Sequence, residues 1–242
     1  MRTEILFEDR HVLVVYKPAG LAVQSAKVGQ MDVVSELKNY LRRSEGNEKG
    51  REQKAPYLGV IHRLDQPVEG LLVFAKSKKA AEVLSAQLQK QGEEVTLHKQ
   101  YCAVLCGDAL SGEGELVDYL YKGKDNKAAV ADRREAAGAK RAVLRYRIIQ
   151  TRTDISGVLA LGDIRIETGR FHQIRAQMAH AGMPLLGDQK YGDQDTKALS
   201  KRLEISHVAL CAQGLAFRHP VTNQAMHFEI KPKGKAFTFF CI

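Results

Sequence analysis

The sequence predicts an α+β fold: a mixed, mainly antiparallel β-sheet with flanking helices. Two observations carry that expectation. Apolar runs of strand length outnumber amphipathic helical stretches, and several strands come in hairpin-like pairs instead of alternating strictly with helices. No internal repeat, low-complexity tract or linker divides the 242 residues, so one domain over residues 1–242 is expected. With 44% hydrophobic and 27% charged residues, the chain can bury a sizeable core.

Taken in order, residues 4–7 and 12–16 read as strands around the charged turn Glu8-Asp9-Arg10-His11. Lys17-Pro18-Ala19-Gly20 closes the second strand as a tight turn. Residues 32–41 form a helix with Val33, Val34, Leu37 and Leu41 on one face. Residues 42–54 are nearly all polar and read as a surface loop. The five apolar residues 71–75 are a buried strand. Ser77 caps a second helix to about Gln91, with Gly92 ending it. Residues 99–106 are a strand. Residues 108–139, polar and glycine-rich, read as an excursion with some short strands. Residues 141–150 and 157–168 are strands. A helix covers 172–181, stopped by Gly182 and Pro184. A short helix at 197–203 and strands at 207–217 and 225–230 complete the order.

The stretch around which the chain is organised is VIHRLDQPVEGLLVFAK, residues 60–76. Pro67 fixes its own backbone and holds Gln66 extended, while Gly70 permits a geometry other residues resist. Arg63 and Asp65 therefore sit on a stiff loop beside a buried strand, a usual place for chemistry. A carboxylate near a guanidinium stays ionised. Asp65 could pair structurally, bind a metal, act as a base or attack as a nucleophile. Alone, the structural Asp–Arg pair is the default.

The net charge of +9 and pI near 9.4 favour a polyanionic partner, nucleic acid first and an anionic membrane surface second. No apolar run is long enough to span a bilayer, and the N-terminus has no secretory pattern. Cys102, Cys106, Cys211 and Cys241 show no paired ligand spacing, so a cytoplasmic setting with reduced thiols is expected. Cys102 and Cys106 pack as small apolar residues of a strand. His172 and His180 lack an i, i+4 partner, which disfavours metal, and His62 reads as a hydrogen-bonding residue of its turn.

A second informative stretch is TGRFHQIRAQMAHAGMPLLGDQKYG, residues 168–192. It gathers Arg170, His172, Gln173, Arg175 and Lys190 near a helix N-terminus, where backbone N–H groups and arginines attract anions. Arg175, between Ile174 and Met178, is expected to be partly buried with an acidic partner.

These two stretches resemble the RluA family of pseudouridine synthases, with its H-R-L-D-x-x-T-S-G-L-L-V-x-A-K and later T-G-R-T-H-Q-I-R and G-D-x-x-Y-G patterns. The opening DRHVLVVYKPAG, Lys99-Gln100-Tyr101, the strand at 140–146, and Val208-Ala209-Leu210 followed by Phe217-Arg218-His219-Pro220 match in family order. The resemblance implies an RNA pseudouridine synthase with an active-site cleft between two halves, lined by Asp65, Tyr101 and Arg175. It implies Asp65 as the catalytic aspartate, Tyr101 as the aromatic stacking on the target base, and Arg175 as the cation paired with the aspartate. It also implies Arg63 as an RNA contact where the base flips out, and Leu210 as a pocket wall. His62, Arg170, His172, Gln173 and Lys190 are further RNA-binding expectations. Val68-Glu69, Phe171, Met183 and Cys211 depart from the family pattern.

The chain begins at the catalytic region, so no preceding S4-type RNA-binding domain is expected. The implied reaction needs no cofactor, and no metal is expected. The partner is ribosomal or transfer RNA; no membrane, no obligate protein partner and a monomer are expected. The rival from another class is an RNA-binding protein that keeps the fold without catalysis. Asp65, Tyr101 and Arg175 discriminate, since an inactive relative has little reason to keep all three. A metal-dependent hydrolase lacks the accompanying carboxylate cluster.

Overall fold

The computed structural model describes residues 1–25, 27, 29–44, 55–89, 97–107, 112–123, 125–131, 138–154 and 157–241. The chain divides into two compact units, Met1–His98 with Gln213–Ile230, and Lys99–Ala212 with Lys231–Ile242.

The first unit opens with β1 (Glu4–Glu8) and β2 (Val12–Lys17), an antiparallel pair joined through Asp9. The Asp9 carboxylate accepts from the N–H groups of His11 and Val12, both at 2.7 Å, which fixes the turn. Helix α1 (Val33–Ser44) begins where Asp32 accepts from Ser35 N at 2.7 Å. This is the N-cap role for which a short acidic side chain is suited. β3 (Gly59–Val60) and β4 (Glu69–Ala75) follow, β4 antiparallel to β2 and buried along its whole length. Ser77 caps α2 (Lys78–Gln89), accepting from Ala80 N at 3.2 Å. The expected end of this helix at Gly92 lies outside the described residues.

β10 (Leu210–Arg218) and β11 (Ala225–Glu229) return to this unit as an antiparallel pair. The strand order is β1-β2-β4-β10, with β11 on β10. The core unites Val12, Val14, Leu71, Val73, Leu84, Leu215 and Phe217. Alternate residues of β2 and β4 face it, as period-two strands require.

The second unit is built on β5 (His98–Cys106), β6 (Glu113–Lys122), β7 (Ala128–Val130), β8 (Lys140–Asp154) and β9 (Gly157–Ile166). They run in the order β5-β9-β8-β6-β7, each pairing antiparallel. Helices α3 (Gln173–His180) and α4 (Gln194–Arg202) join them, with a short 3-10 helix at Lys235–Phe239. Asp193 caps α4 by accepting from Thr196 N at 2.7 Å, so this helix starts before the expected residue 197. Cys102, Cys106 and Cys211 are buried, as expected of small apolar side chains.

The largest departure from expectation is β6. The polar excursion contains a ten-residue strand, not only short ones. Most of its residues are half-buried or exposed, and it gains its hydrogen bonds from β8 and β7. Pairing with β8, up to 34 residues away, makes it a strand, and a polar composition hides that from a local reading. Residues 45–54, 108–111, 124 and 132–137 of the expected loops lie outside the described residues.

Candidate active site

In the first unit the exposure pattern of the H-R-L-D turn is decisive. Ile61, His62 and Leu64 are buried, Arg63 points out, and Asp65 is partly exposed. The loop is tied at its backbone. Val68 N donates to Asp65 O at 3.1 Å, and Gly20 N donates to Gln66 O at 2.8 Å. Gln66 Nε2 answers with a bond to Gly20 O at 3.2 Å. Gly70, at the start of β4 and paired with Lys17, adopts φ 130°, a conformation that favours glycine. His62 is buried, and Val73 N donates to its Nε2 at 3.5 Å; this agrees with a hydrogen-bonding place beneath the turn.

Lys17, read from sequence only as part of a turn, is fully buried at the end of β2. Its ammonium donates to Leu21 O at 2.8 Å, Pro18 O at 3.0 Å and Gln66 O at 3.2 Å. It thereby clamps the Lys17-Gly20 turn to the residue following Asp65. Burial pushes this lysine down from 10.5 to about 7, while the charges of Asp65 and Glu69 pull it back up. Glu69 is itself buried and accepts a hydrogen bond from Tyr16 Oη. The available signal was a lysine closing a wholly apolar strand, immediately before Pro18.

In the second unit Tyr101 lies on β5 opposite Ile164 and is buried. Burial pushes Lys99, on the same strand, down to about 8. Arg175, on α3, is buried as well, and its acidic partner is Asp188. The pair is bidentate: Nε to Oδ2 at 2.7 Å and Nη2 to Oδ1 at 2.8 Å. Asp188 Oδ1 also accepts from Lys190 N at 2.9 Å and Tyr191 N at 3.1 Å. Burial alone would raise the Asp188 carboxyl, but the Arg175 bonds and charge and these two N–H groups hold it below the usual range.

Asp188 is delivered by a segment stitched to β5. Leu186 N donates to Val104 O at 2.9 Å, and Cys106 N donates to Pro184 O at 2.8 Å. Gly187, at φ 81°, passes so close to the chain that a Cβ would lie 2.0 Å from His207 O. Glycine is required there.

The turn before α3 places the remaining expected residues. Gln173 is buried; its Oε1 accepts from Thr168 Oγ1 at 2.9 Å and Arg170 N at 3.0 Å, and its Nε2 donates to Val143 O at 3.0 Å. Arg170 and Lys190 are exposed. His172 adopts φ 52°, and its Nδ1 lies 2.8 Å from Tyr191 Oη. Leu210 is buried at the start of β10. Among the described residues no group of three or more His, Cys, Asp or Glu side chains could hold a metal ion, and no helix is long and apolar enough to cross a membrane.

Residues 11–180 match the family model described as RNA pseudouridylate synthase. The chain belongs to the RNA pseudouridylate synthase family. Arg63, Asp65, Tyr101 and Arg175 all fall inside the matched region. Relatives include a ribosomal large subunit pseudouridine synthase D of Zymomonas mobilis, 35% identical over 93% of this chain and 68% of the relative. A tRNA pseudouridine synthase C of Yersinia pestis is 30% identical over 92% of this chain and 84% of its own length. The human RNA pseudouridylate synthase domain containing 1 shares the fold, with a TM-score of 0.73 at 17% identity over 95% of this chain and 83% of that one. The family resemblance and the α+β fold class read from sequence are both borne out.

Proposed function

We propose that this chain converts specific uridines of ribosomal or transfer RNA into pseudouridine, with Asp65 as the nucleophile. What supports the reading is Asp65 itself: a partly exposed carboxylate on a loop tied down by Lys17 and Gly20, within the region matching the family. In the reaction the C1′–N1 glycosidic bond breaks, the uracil turns, and a C1′–C5 bond forms. The proton at C5 is lost and N1 regains one. Atoms balance with no redox change, so no cofactor is needed.

In this reading both units form one catalytic domain. Arg63 contacts RNA phosphate where the target base leaves its stack. Tyr101 stacks on that base, Arg175 keeps Asp65 ionised, and Leu210 walls the pocket. Arg170, His172 and Lys190 hold RNA, while Gln173 and His62 serve by bracing the turns that present their neighbours. The protein acts as a cytoplasmic monomer without an obligate protein partner.

The test is incubation of the purified protein with transcribed ribosomal and transfer RNA, followed by pseudouridine mapping. Wild type should modify one or a few uridines. Asp65→Asn should form none while binding RNA nearly as well. Full turnover by Asp65→Asn would overturn the assignment; RNA binding by wild type without turnover would favour a non-catalytic RNA-binding protein.

A further inference from the structure

The departures from the family pattern are not alike. Val68, Glu69, Met183 and Cys211 are all buried, where they alter packing. Phe171 is different. It replaces the threonine of T-G-R-T-H and leaves 44% of its surface exposed. It is an exposed aromatic at a tight turn, next to the left-handed His172.

The ring is held in place from beneath. It stacks on the His172 imidazole, with centroids 3.8 Å apart and planes 20° from parallel. His172 Nδ1 is 2.8 Å from Tyr191 Oη, which in turn accepts from Ala128 N at 2.6 Å. Tyr191 is anchored at its own backbone by Asp188. The Phe171–His172 stack therefore rests on the buried Arg175–Asp188 pair through a short chain of defined bonds.

A cation lies over it. Lys122 Nζ is 5.5 Å from the Phe171 ring centroid. The adjacent Arg170 is exposed, its Nε fixed on Arg141 O at 2.9 Å. Lys190 reaches the β6–β7 turn, donating to Asn126 O at 3.3 Å. The acid of that turn is Asp125, among the described residues. An exposed ring backed by His172, with the Lys122 ammonium over it and the exposed Arg170 next to it in sequence, fits a ligand with a phosphate and with a planar base that takes the place of the Lys122 side chain on the ring.

We propose that Phe171, backed by His172, is a stacking platform for an unpaired nucleobase of the RNA other than the target uridine, with Lys122 and Arg170 meeting its phosphates. This rests on the reading that the ligand is RNA, and it adds a contact that a threonine cannot make. Aromatic platforms bind bases with little regard to sequence, because every base has a π-face. The contact would therefore select an unpaired nucleotide at a set position more than a particular base.

The experiment uses a short single-stranded RNA carrying 2-aminopurine, titrated into wild type, Phe171→Thr and Phe171→Trp. Each is also made with Asp65→Asn, so that binding is read without turnover. Wild type should quench the probe. Phe171→Thr should lose the quenching and bind about tenfold more weakly, the order expected for one stacked base. Phe171→Trp should retain both. Lys122→Ser should weaken binding and reduce its salt dependence while leaving the quenching in place. Melting curves establish that each variant is folded. Unchanged affinity and quenching in Phe171→Thr, or no quenching by wild type, would overturn the platform. Loss of pseudouridine formation in every RNA, with quenching retained, would overturn only the activity.

Discussion

Two buried cations, one in each unit, are stabilised in different ways. Arg175 has a carboxylate: both oxygens of Asp188 lie within 2.8 Å of its guanidinium. Lys17 has three carbonyl oxygens instead. Carbonyl dipoles solvate an ammonium less well than a paired charge does, so burial pulls Lys17 down to about 7. In the second unit the arginine lowers the acid it pairs with. In the first, the charge on Lys17 depends on the nearby carboxylates Asp65 and Glu69. The Arg175–Asp188 pair is a fixed strut, whereas Lys17 is coupled to the loop it holds.

Breaking the strut should cost most. Asp188→Ala removes the bidentate partner of a buried guanidinium, which destabilises by about 3–5 kcal/mol. Urea unfolding should show this, together with loss of pseudouridine formation; a change under 1 kcal/mol would contradict the strut. Because folding lowers the Asp188 carboxyl below 3.8, its contribution is complete above that value. It fades as the pH falls through the folded value.

A smaller effect is expected from Lys17→Met. The carbonyl bonds are lost, but so is the cost of burying an ammonium, leaving a net loss of about 1–2 kcal/mol. Turnover should fall further than stability, since Gln66 adjoins Asp65. The sign of the pH dependence is fixed. Folding lowers this lysine from 10.5 to about 7, so the folded state gives up its proton first and the contribution of Lys17 to stability improves as pH rises between those values. Denaturation midpoints measured across this range should rise less steeply in Lys17→Met than in wild type.

The gentlest perturbation sharpens the contrast without unfolding anything. In Asp65→Asn or Glu69→Gln a charge that raises Lys17 is gone. Carbon NMR of the lysine ε-methylene should then place its titration below the wild-type value. An identical titration in all three proteins would show that Lys17 and the Asp65 loop are not coupled.

Much of this was legible beforehand. The apolar run ending in Ala75 and the cap Ser77 act on near neighbours, and hydrophobic period and capping chemistry report them directly, whereas Asp32, read as the first helical residue, proves to be the N-cap of α1. Gly70 was readable because its constraint is local to one backbone. β6 was not, since its strand state comes from β8 and β7. Gln173 resembled an RNA contact in a polar motif, yet its amide is engaged at Thr168, Arg170 and Val143.

The sequence by itself determined the strand and helix order outside residues 108–139, the stiff turn presenting Arg63 and Asp65, and membership of the RNA pseudouridylate synthase family. Ordered motifs survive in one dimension because each is a local backbone and side-chain requirement. Tertiary structure alone decided that Lys17 is buried and clamps Gln66, 49 residues away, that Asp188 is a carboxylate partner of Arg175, and that Phe171 faces outward while the other departures are interior. Those outcomes depend on which polar groups lose water together, and that is settled only when distant parts of the chain pack.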